Sequence, residues 1–370
     1  MKGTITFVGF GLLASSMAAA LKQAGHAVKI RAVSSPGTQR RALEMKLADE
    51  VFDYANLAQS LPGTDLLLLC GPISHIQETL ESLRHMGSHL TGPMLVSDIG
   101  STKGAICAQG IQLPAPFLFV GGHPMAGSEK RSLEHFDISL YENAYWILCP
   151  QVGQPAAHYG LLQELIDAVG AHSVELDATD HDRIMARLSH VPQLVSTALA
   201  SGLSPKILAK NHQHLAGRGF RDMTRIAASP WPMWRDIIAT NHKEILGGVQ
   251  EMQASLAQIE NFLTHLPESS PSLQGVFEKG NEVRTSLSSP GKGFTHSLHE
   301  LFVQLPDKPG AIVSVVTPLA NAGINILDIE LAKVREGIGG SLLLGFKALS
   351  EATQAQELLE KIGLQTRLRS

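Results

Sequence analysis

The chain has 370 residues, enough for two to three domains at about 150 residues each. Hydrophobic residues make up 44% and charged residues 17%, which excludes a chain without folded cores. With 30 Lys and Arg against 34 Asp and Glu, the net charge of −4 excludes a basic footprint for nucleic acid or an anionic membrane across the whole chain.

Three separated cysteines (Cys70, Cys107, Cys149) fit neither a disulfide framework nor a zinc cluster and suit a reducing compartment. Lys2 and the Ala-rich stretch 5–21 loosely match a secretory leader. Gly9, Gly11, Ser15 and Ser16 interrupt that stretch, and it is too short for a membrane span. A strand-to-helix turn accounts for the same residues, so a cytoplasmic chain is expected.

From the N-terminus, β-rich runs recur at 4–8, 28–33, 66–69, 94–97, 117–120 and 145–148, with helix-length segments such as 12–24 and 75–86 between them. Several runs are almost wholly apolar, as parallel strands buried on both faces require. The pattern predicts an α/β, Rossmann-like doubly wound domain over 1–150. Beyond Pro150, helices are expected at 156–169, at 180–201 and from Pro232 onward, forming an all-α substrate and dimerisation domain over 151–287. In the last of these helices Ile245, Val249, Met252, Leu256, Ile259 and Leu263 form a heptad seam. That seam is either covered within the chain or paired across a two-fold homodimer. The Ser-, Pro- and Gly-rich segment 288–297 reads as a linker. Residues 298–370 then alternate as a small α+β, ferredoxin-like βαββαβ module.

Gly9-Phe10-Gly11-Leu12-Leu13-Ala14 joins the first strand to the first helix. Gly9 permits a tight turn, Gly11 lets backbone approach a pyrophosphate, and Ala14 allows close helix–strand packing. The helix N-terminus then offers free N–H groups to the phosphates, Leu12 being first in line. The second strand ends in Ser34-Ser35 without an acid to grip a ribose hydroxyl, and Arg40 and Arg41 follow. Hydroxyls and guanidinium groups suit a 2′-phosphate, so NAD(P) is expected with a lean to NADP. A solvated helix face is the other account of the two arginines.

Two further strand ends carry polar residues, Ser101 in GSTKG and His123 in GGHPMAGSEK. Both positions face the crevice at the carboxyl ends of parallel strands, where ligands bind. Along 180–201, Ile184, Leu188, Val191, Val195 and Ala198 form an apolar stripe, with His190 on the opposite side near Gln193 and Thr197. Pro192 removes a backbone donor and bends this helix. His190 is therefore expected on a face turned away from the core, as a wall of the substrate site. No metal site is expected: His181/His190 and His212/His214 lack ligand spacing and companions.

The strings GFGLLASS, SDIGSTKG, GGHPMAGSEK, HDRIMARLSHVPQ and FRDMTRIAASPWPMWRDI together resemble the prephenate/arogenate dehydrogenase family of tyrosine biosynthesis. LFVQLPDKPGAIVSVVTPLANAGINILDIEL is similar to an ACT domain, an amino-acid-binding regulatory module. The resemblance implies oxidative decarboxylation of prephenate to 4-hydroxyphenylpyruvate, with hydride passed to NAD(P). By the same resemblance, His123 is the general base, Ser101 orients it and touches the substrate hydroxyl, and Arg225 grips a carboxylate. Asp222 and Glu129 would form a gate with Arg225, and Trp234 would sit at the pocket edge. Tyrosine is the implied effector at the ACT domain.

Arogenate is the alternative substrate. Its ammonium group would favour an acid near the pocket, for which Asp180 is the candidate. A non-catalytic ACT amino-acid sensor is the reading from another class, and the retention of Ser101, His123 and Arg225 argues against it. Asp307 is expected to cap the helix after Pro309, and Gly323 to end it.

Overall fold

The computed structural model describes residues 1–86, 90, 92–127, 132–204, 206–207, 212–286, 298–306, 308–335 and 339–368. The chain divides into two compact units, Met1–Thr264 and His265–Ser370.

The first unit is organised by an eight-stranded sheet. Its strands are β1 (Lys2–Val8), β2 (Ala27–Val33), β3 (Glu50–Phe52), β4 (Leu66–Leu69), β5 (Met94–Asp98), β6 (Phe117–Pro124), β7 (Tyr145–Cys149) and β8 (His172–Glu175). The order is β3-β2-β1-β4-β5-β6-β7-β8. The first six of these in sheet order run parallel, β7 turns antiparallel to β6, and β8 runs parallel to β7. That order reverses direction between β1 and β4, the switch point where such sheets open a ligand crevice.

Strand periodicity builds a core on each face. Leu66 and Leu68 point to one side with Ile5 and Phe7, under helices α1 (Leu12–Gln23) and α6 (Gly160–Ala168). Leu67 and Leu69 point to the other side with Val8 and Val96, under α4 (Ile73–Arg84). Ala186, Ile237 and Ile245 from the helical segments join this second core, so those helices are seated directly on the sheet. Each fully buried leucine in such a layer stabilises the fold by about 1.5–3 kcal/mol.

The expected fold class holds, with departures in detail. β3 is only three residues long, and β8 is exposed throughout, so neither carries an apolar run visible in the sequence. The segment 156–169, read as the first helix of the helical domain, contributes Leu162, Leu165 and Ile166 to the sheet core. The sheet therefore runs on to Glu175, past residue 150.

Helix α7 (Ala178–Met185) is capped by Asp177, whose side chain accepts hydrogen bonds from the N–H groups of Thr179 and Asp180. The helix expected over 180–201 is broken by a wide π turn, Ala186–His190, before α8 (Val191–Ser201). Pro192 cannot donate to the turn before it, and the extra residue in the π turn rotates the helix face. The predicted stripe is corrected accordingly: Leu188 is 69% exposed and Ala198 is exposed, whereas His190 is only 2% exposed. His190 faces inward.

The helix Trp231–Thr264 is kinked at Asn241. Its heptad seam splits: Ile245 is buried, while Met252, Leu256 and Leu263 are exposed. Among the described residues no helix is long and apolar enough to cross a membrane.

The second unit begins with the helix Ser270–Ser286, which the sequence reading assigned to the helical domain. It continues as β9 (His299–Leu305), the helix Val313–Asn321, β10 (Asp328–Arg335), β11 (Gly339–Phe346), the helix Leu349–Lys361 and β12 (Thr366–Leu368). The four strands form an antiparallel sheet in the order β10-β11-β9-β12, the expected βαββαβ module. Leu301, Val303, Val315, Leu319, Leu342, Leu344 and Phe346 form its core. Gly323 adopts a positive φ just after the first helix, as expected. The linker 288–297 and Asp307 lie outside the described residues.

Candidate active site

A cleft of about 590 Å³ opens at the carboxyl ends of β1, β2 and β4, lined by Gly9, Gly11, Ser34, Ser35, Thr38 and Arg41 among others. Gly9 has φ +91, and a Cβ there would lie 3.0 Å from backbone atoms of Cys70 and Gly71, so only glycine closes this turn without strain. At Gly11 a Cβ would meet nothing within 4 Å, because the position opens on the cleft. Leu12 and Ala14 are buried beneath the turn, packing the helix onto the sheet and leaving backbone N–H groups to address the cleft. A glycine cradle, a helix start and an open cleft fit a dinucleotide's pyrophosphate.

On the adenosine side of such a ligand, Ser34 is buried, while the Ser35 and Thr38 hydroxyls lie 3.1 Å apart. Arg41 lines the cleft and is paired with Glu134; Arg40 is exposed and does not line it.

His123 lies three strands along the sheet from β1. It belongs to β6 itself, which runs four residues further than its apolar run, to His123 and Pro124, in antiparallel register with Ile147 and Trp146. Gly122 makes that extension possible, since a Cβ there would lie 2.5 Å from the Asp98 carbonyl oxygen. The backbone at Gly122 is clamped by a fully buried ion pair. Lys103 Nζ is paired with Asp98 and donates to the Gly122 carbonyl at 2.7 Å, while Gly122 N–H donates to Asp98 Oδ1 at 3.1 Å. The imidazole is thus held by a strand rather than carried on a free loop.

Two further histidines converge on it. His123 Nδ1 is hydrogen-bonded to His181 Nε2 at 2.8 Å, with the rings edge to face at 5.1 Å. His181 Nδ1 in turn lies 2.8 Å from Asp182 Oδ1. The Asp182 carboxylate also receives the Lys103 N–H at 2.7 Å and the Gly104 N–H at 2.8 Å. His190 lies 3.3 Å from Asn241 Nδ2 and edge-on to Trp234 at 5.9 Å. Burial, reinforced by His181, Lys103 and His190, pushes His123 well below the usual imidazole range. Burial holds His190 down at about 4, although Asp182 pulls the other way. Both rings are therefore neutral at pH 7. Among the described residues no three His, Cys, Asp or Glu side chains are arranged to hold a metal ion.

The remaining expected site residues fall as follows. Ser101 sits partly buried in the turn after β5, but the partner at His123 Nδ1 is His181 rather than this serine. Trp234 packs against the sheet core and borders His190. Arg225 starts a short turn at 225–228 and is exposed. Asp222 pairs with Arg218 at 3.5 Å. Asp180, weighed as a partner for an ammonium group, is half-buried and pairs with Arg183 at 2.7 Å. Glu129 lies outside the described residues. The sequence reading missed His181, Asp182, Asn241 and the Asp98–Lys103 pair. All except Asn241 lie in the motifs quoted above, yet local spacing carries no sign that residues 58 positions apart close into one hydrogen bond.

The model of the prephenate dehydrogenase nucleotide-binding domain matches residues 17–175, that of the prephenate dehydrogenase dimerization domain 177–278, and that of the ACT domain 299–357. Prephenate dehydrogenase of Bacillus subtilis is 30% identical over 368 residues, covering 97% of this chain and 96% of its own. The Lactococcus lactis enzyme of the same name is 31% identical over 371 residues, covering 96% and 97%. Among solved structures, prephenate dehydrogenase from A. aeolicus in complex with hydroxyphenyl propionate and NAD+ is 26% identical with TM-score 0.69. It covers 78% of this chain and 99% of that one. Synechocystis arogenate dehydrogenase is 28% identical with TM-score 0.66, covering 77% and 99%. The nucleotide cleft, the histidine-bearing strand and these matches along nearly the whole length agree: the chain belongs to the prephenate dehydrogenase family.

Proposed function

We propose that this chain is an NAD(P)-dependent prephenate dehydrogenase that converts prephenate to 4-hydroxyphenylpyruvate and CO2. The observation that carries the reading is an uncharged histidine, His123, held rigidly at the carboxyl end of a strand in the nucleotide-binding sheet. A nicotinamide cofactor would be held by Gly9, Gly11 and the start of α1, and would supply the hydride acceptor. His123 takes the proton of the C4 hydroxyl as hydride leaves that carbon, and gives it back when loss of CO2 makes the ring a phenol. Ser101, in the turn after β5, would bind the reacting oxygen through its hydroxyl. Arg225 offers the rigid fork that carboxylates prefer, with Asp222 and Glu129 as its gate and Trp234 and His190 as a wall.

Ser34, Ser35, Thr38 and Arg41 support a preference for NADP, since hydroxyls and a guanidinium suit a 2′-phosphate. Glu134 must then release Arg41 to that phosphate. The exposed seam of Met252, Leu256 and Leu263 supports a homodimer built on the helix Trp231–Thr264. The C-terminal module supports feedback by tyrosine, which requires coupling between two sites. A steady-state assay with prephenate or arogenate, each with NAD or NADP, tests the reading. Turnover of prephenate is expected, fastest with NADP; turnover of arogenate alone moves the assignment to arogenate dehydrogenase.

A further inference from the structure

We propose that Asp182 and His181 are positioning residues that fix the tautomer of His123, leaving its Nε2 bare as the proton acceptor. The inference rests on the reading of His123 as the base and concerns what makes it one.

Donor and acceptor inventories place the protons one by one along this chain of contacts. The Asp182 carboxylate only accepts hydrogen bonds. It already takes the N–H groups of Lys103 and Gly104, and it lies 2.8 Å from His181 Nδ1. The proton between them therefore sits on His181 Nδ1. In this proposal His181 carries that single proton, which leaves only a lone pair on its Nε2, so the proton in its 2.8 Å bond to His123 Nδ1 belongs to His123. His123, neutral in its buried setting, is left with an unprotonated Nε2. When that nitrogen takes a proton, Nδ1–H goes on donating to His181 Nε2, so the hydrogen bonds of the relay are kept through the transfer.

The geometry makes the arrangement stiff. Asp182 is bound through its side chain to the turn leading into helix α5 (Gly104–Gly110), and its backbone carbonyl accepts Asn241 Nδ2 at 2.8 Å. His181 is fully buried, and Asp182 is nearly so. The relay is thus anchored to three elements distant in sequence, and neither ring can flip without breaking buried hydrogen bonds.

The test uses full-length protein labelled with 15N-histidine, in which the imidazole 15N shifts distinguish protonated from bare nitrogens; loss of one ring's signals in His123→Asn assigns that ring. In the wild type His123 is expected to show a protonated Nδ1 and a bare Nε2. Asp182→Asn, whose amide can donate to His181 Nδ1, is expected to reverse both tautomers. It should lower kcat about 10²-fold or more with KM and cofactor affinity within about threefold. His181→Leu should lose a similar factor, and His181→Gln, whose carbonyl oxygen can accept from Nδ1, should recover most of it. A wild-type His123 protonated on Nε2 overturns the proposal, and so does His181→Leu with wild-type kcat. Reading the wild-type tautomer needs no substrate and none of the Asp182 or His181 variants, only His123→Asn for the assignment. Failure to oxidise prephenate would sink the proposed function and leave this tautomer measurement standing, whereas an active enzyme with the opposite tautomer would sink only the relay.

Discussion

Replacing His123 with Asn removes the proposed base while keeping its anchor. The amide nitrogen of Asn can occupy the place of Nδ1 and donate to His181 Nε2, so the 2.8 Å link and the register of β6 with β7 are expected to survive. What disappears is the neutral nitrogen that receives the hydroxyl proton. Loss of a general base costs about 10²–10⁴-fold in rate, which is about 2.7–5.5 kcal/mol of transition-state stabilisation. Because burial pushes His123 well below the usual imidazole range, the wild-type ring is uncharged throughout the neutral range. Activity should therefore be flat around pH 7 and fall only in acid, as pH drops through the lowered pKa and the ring takes a proton. Steady-state kinetics across pH, with cofactor affinity measured separately by fluorescence, reads both effects. His123→Asn should lose kcat by the stated factor, keep its cofactor affinity and lose the acid limb assigned to this ring. Turnover within threefold of wild type, or an unchanged acid limb, would refute the assignment.

Lys103→Met leaves the fully buried Asp98 carboxylate without its cation, at a cost of about 3–5 kcal/mol. Urea denaturation should show a lower midpoint, partly restored when Asp98→Leu removes the stranded charge as well. Arg41→Ala should weaken NADP binding about tenfold and leave NAD within twofold, read by titration of each cofactor. His190 titrates at about 4 when folded against an ordinary 6.5, so the unfolded chain binds its proton first as pH falls. Its contribution to stability is complete above pH 6.5 and lost as pH falls through about 4, a change of about 3 kcal/mol. Chemical denaturation at several pH values should show a shallower acid slope in His190→Gln.

Much of the architecture is written locally. Wholly apolar runs such as 66–69 announce strands covered on both faces, and the turn at Gly9 to Ala14 announces a phosphate-facing helix start. The C-terminal alternation announces βαββαβ, because each signal depends on neighbours within one element. β3 and β8 escaped because short or exposed edge strands need no apolar run. His190 was assigned to the outward face because an unbroken 3.6-residue period was extended across Ala186–His190, where a π turn inserts a residue.

Residue order alone therefore determined the dinucleotide-binding sheet and the glycine cradle, and pointed to His123 as the proposed base. Tertiary structure decided how that base is held: His123 from β6, His181 and Asp182 from α7, and Lys103 and Gly104 before and in α5 meet within hydrogen-bonding distance. The physical reason is that a hydrogen bond between side chains depends on where whole elements come to rest. The burial of two apolar faces sets those positions, and no short-range pattern encodes them.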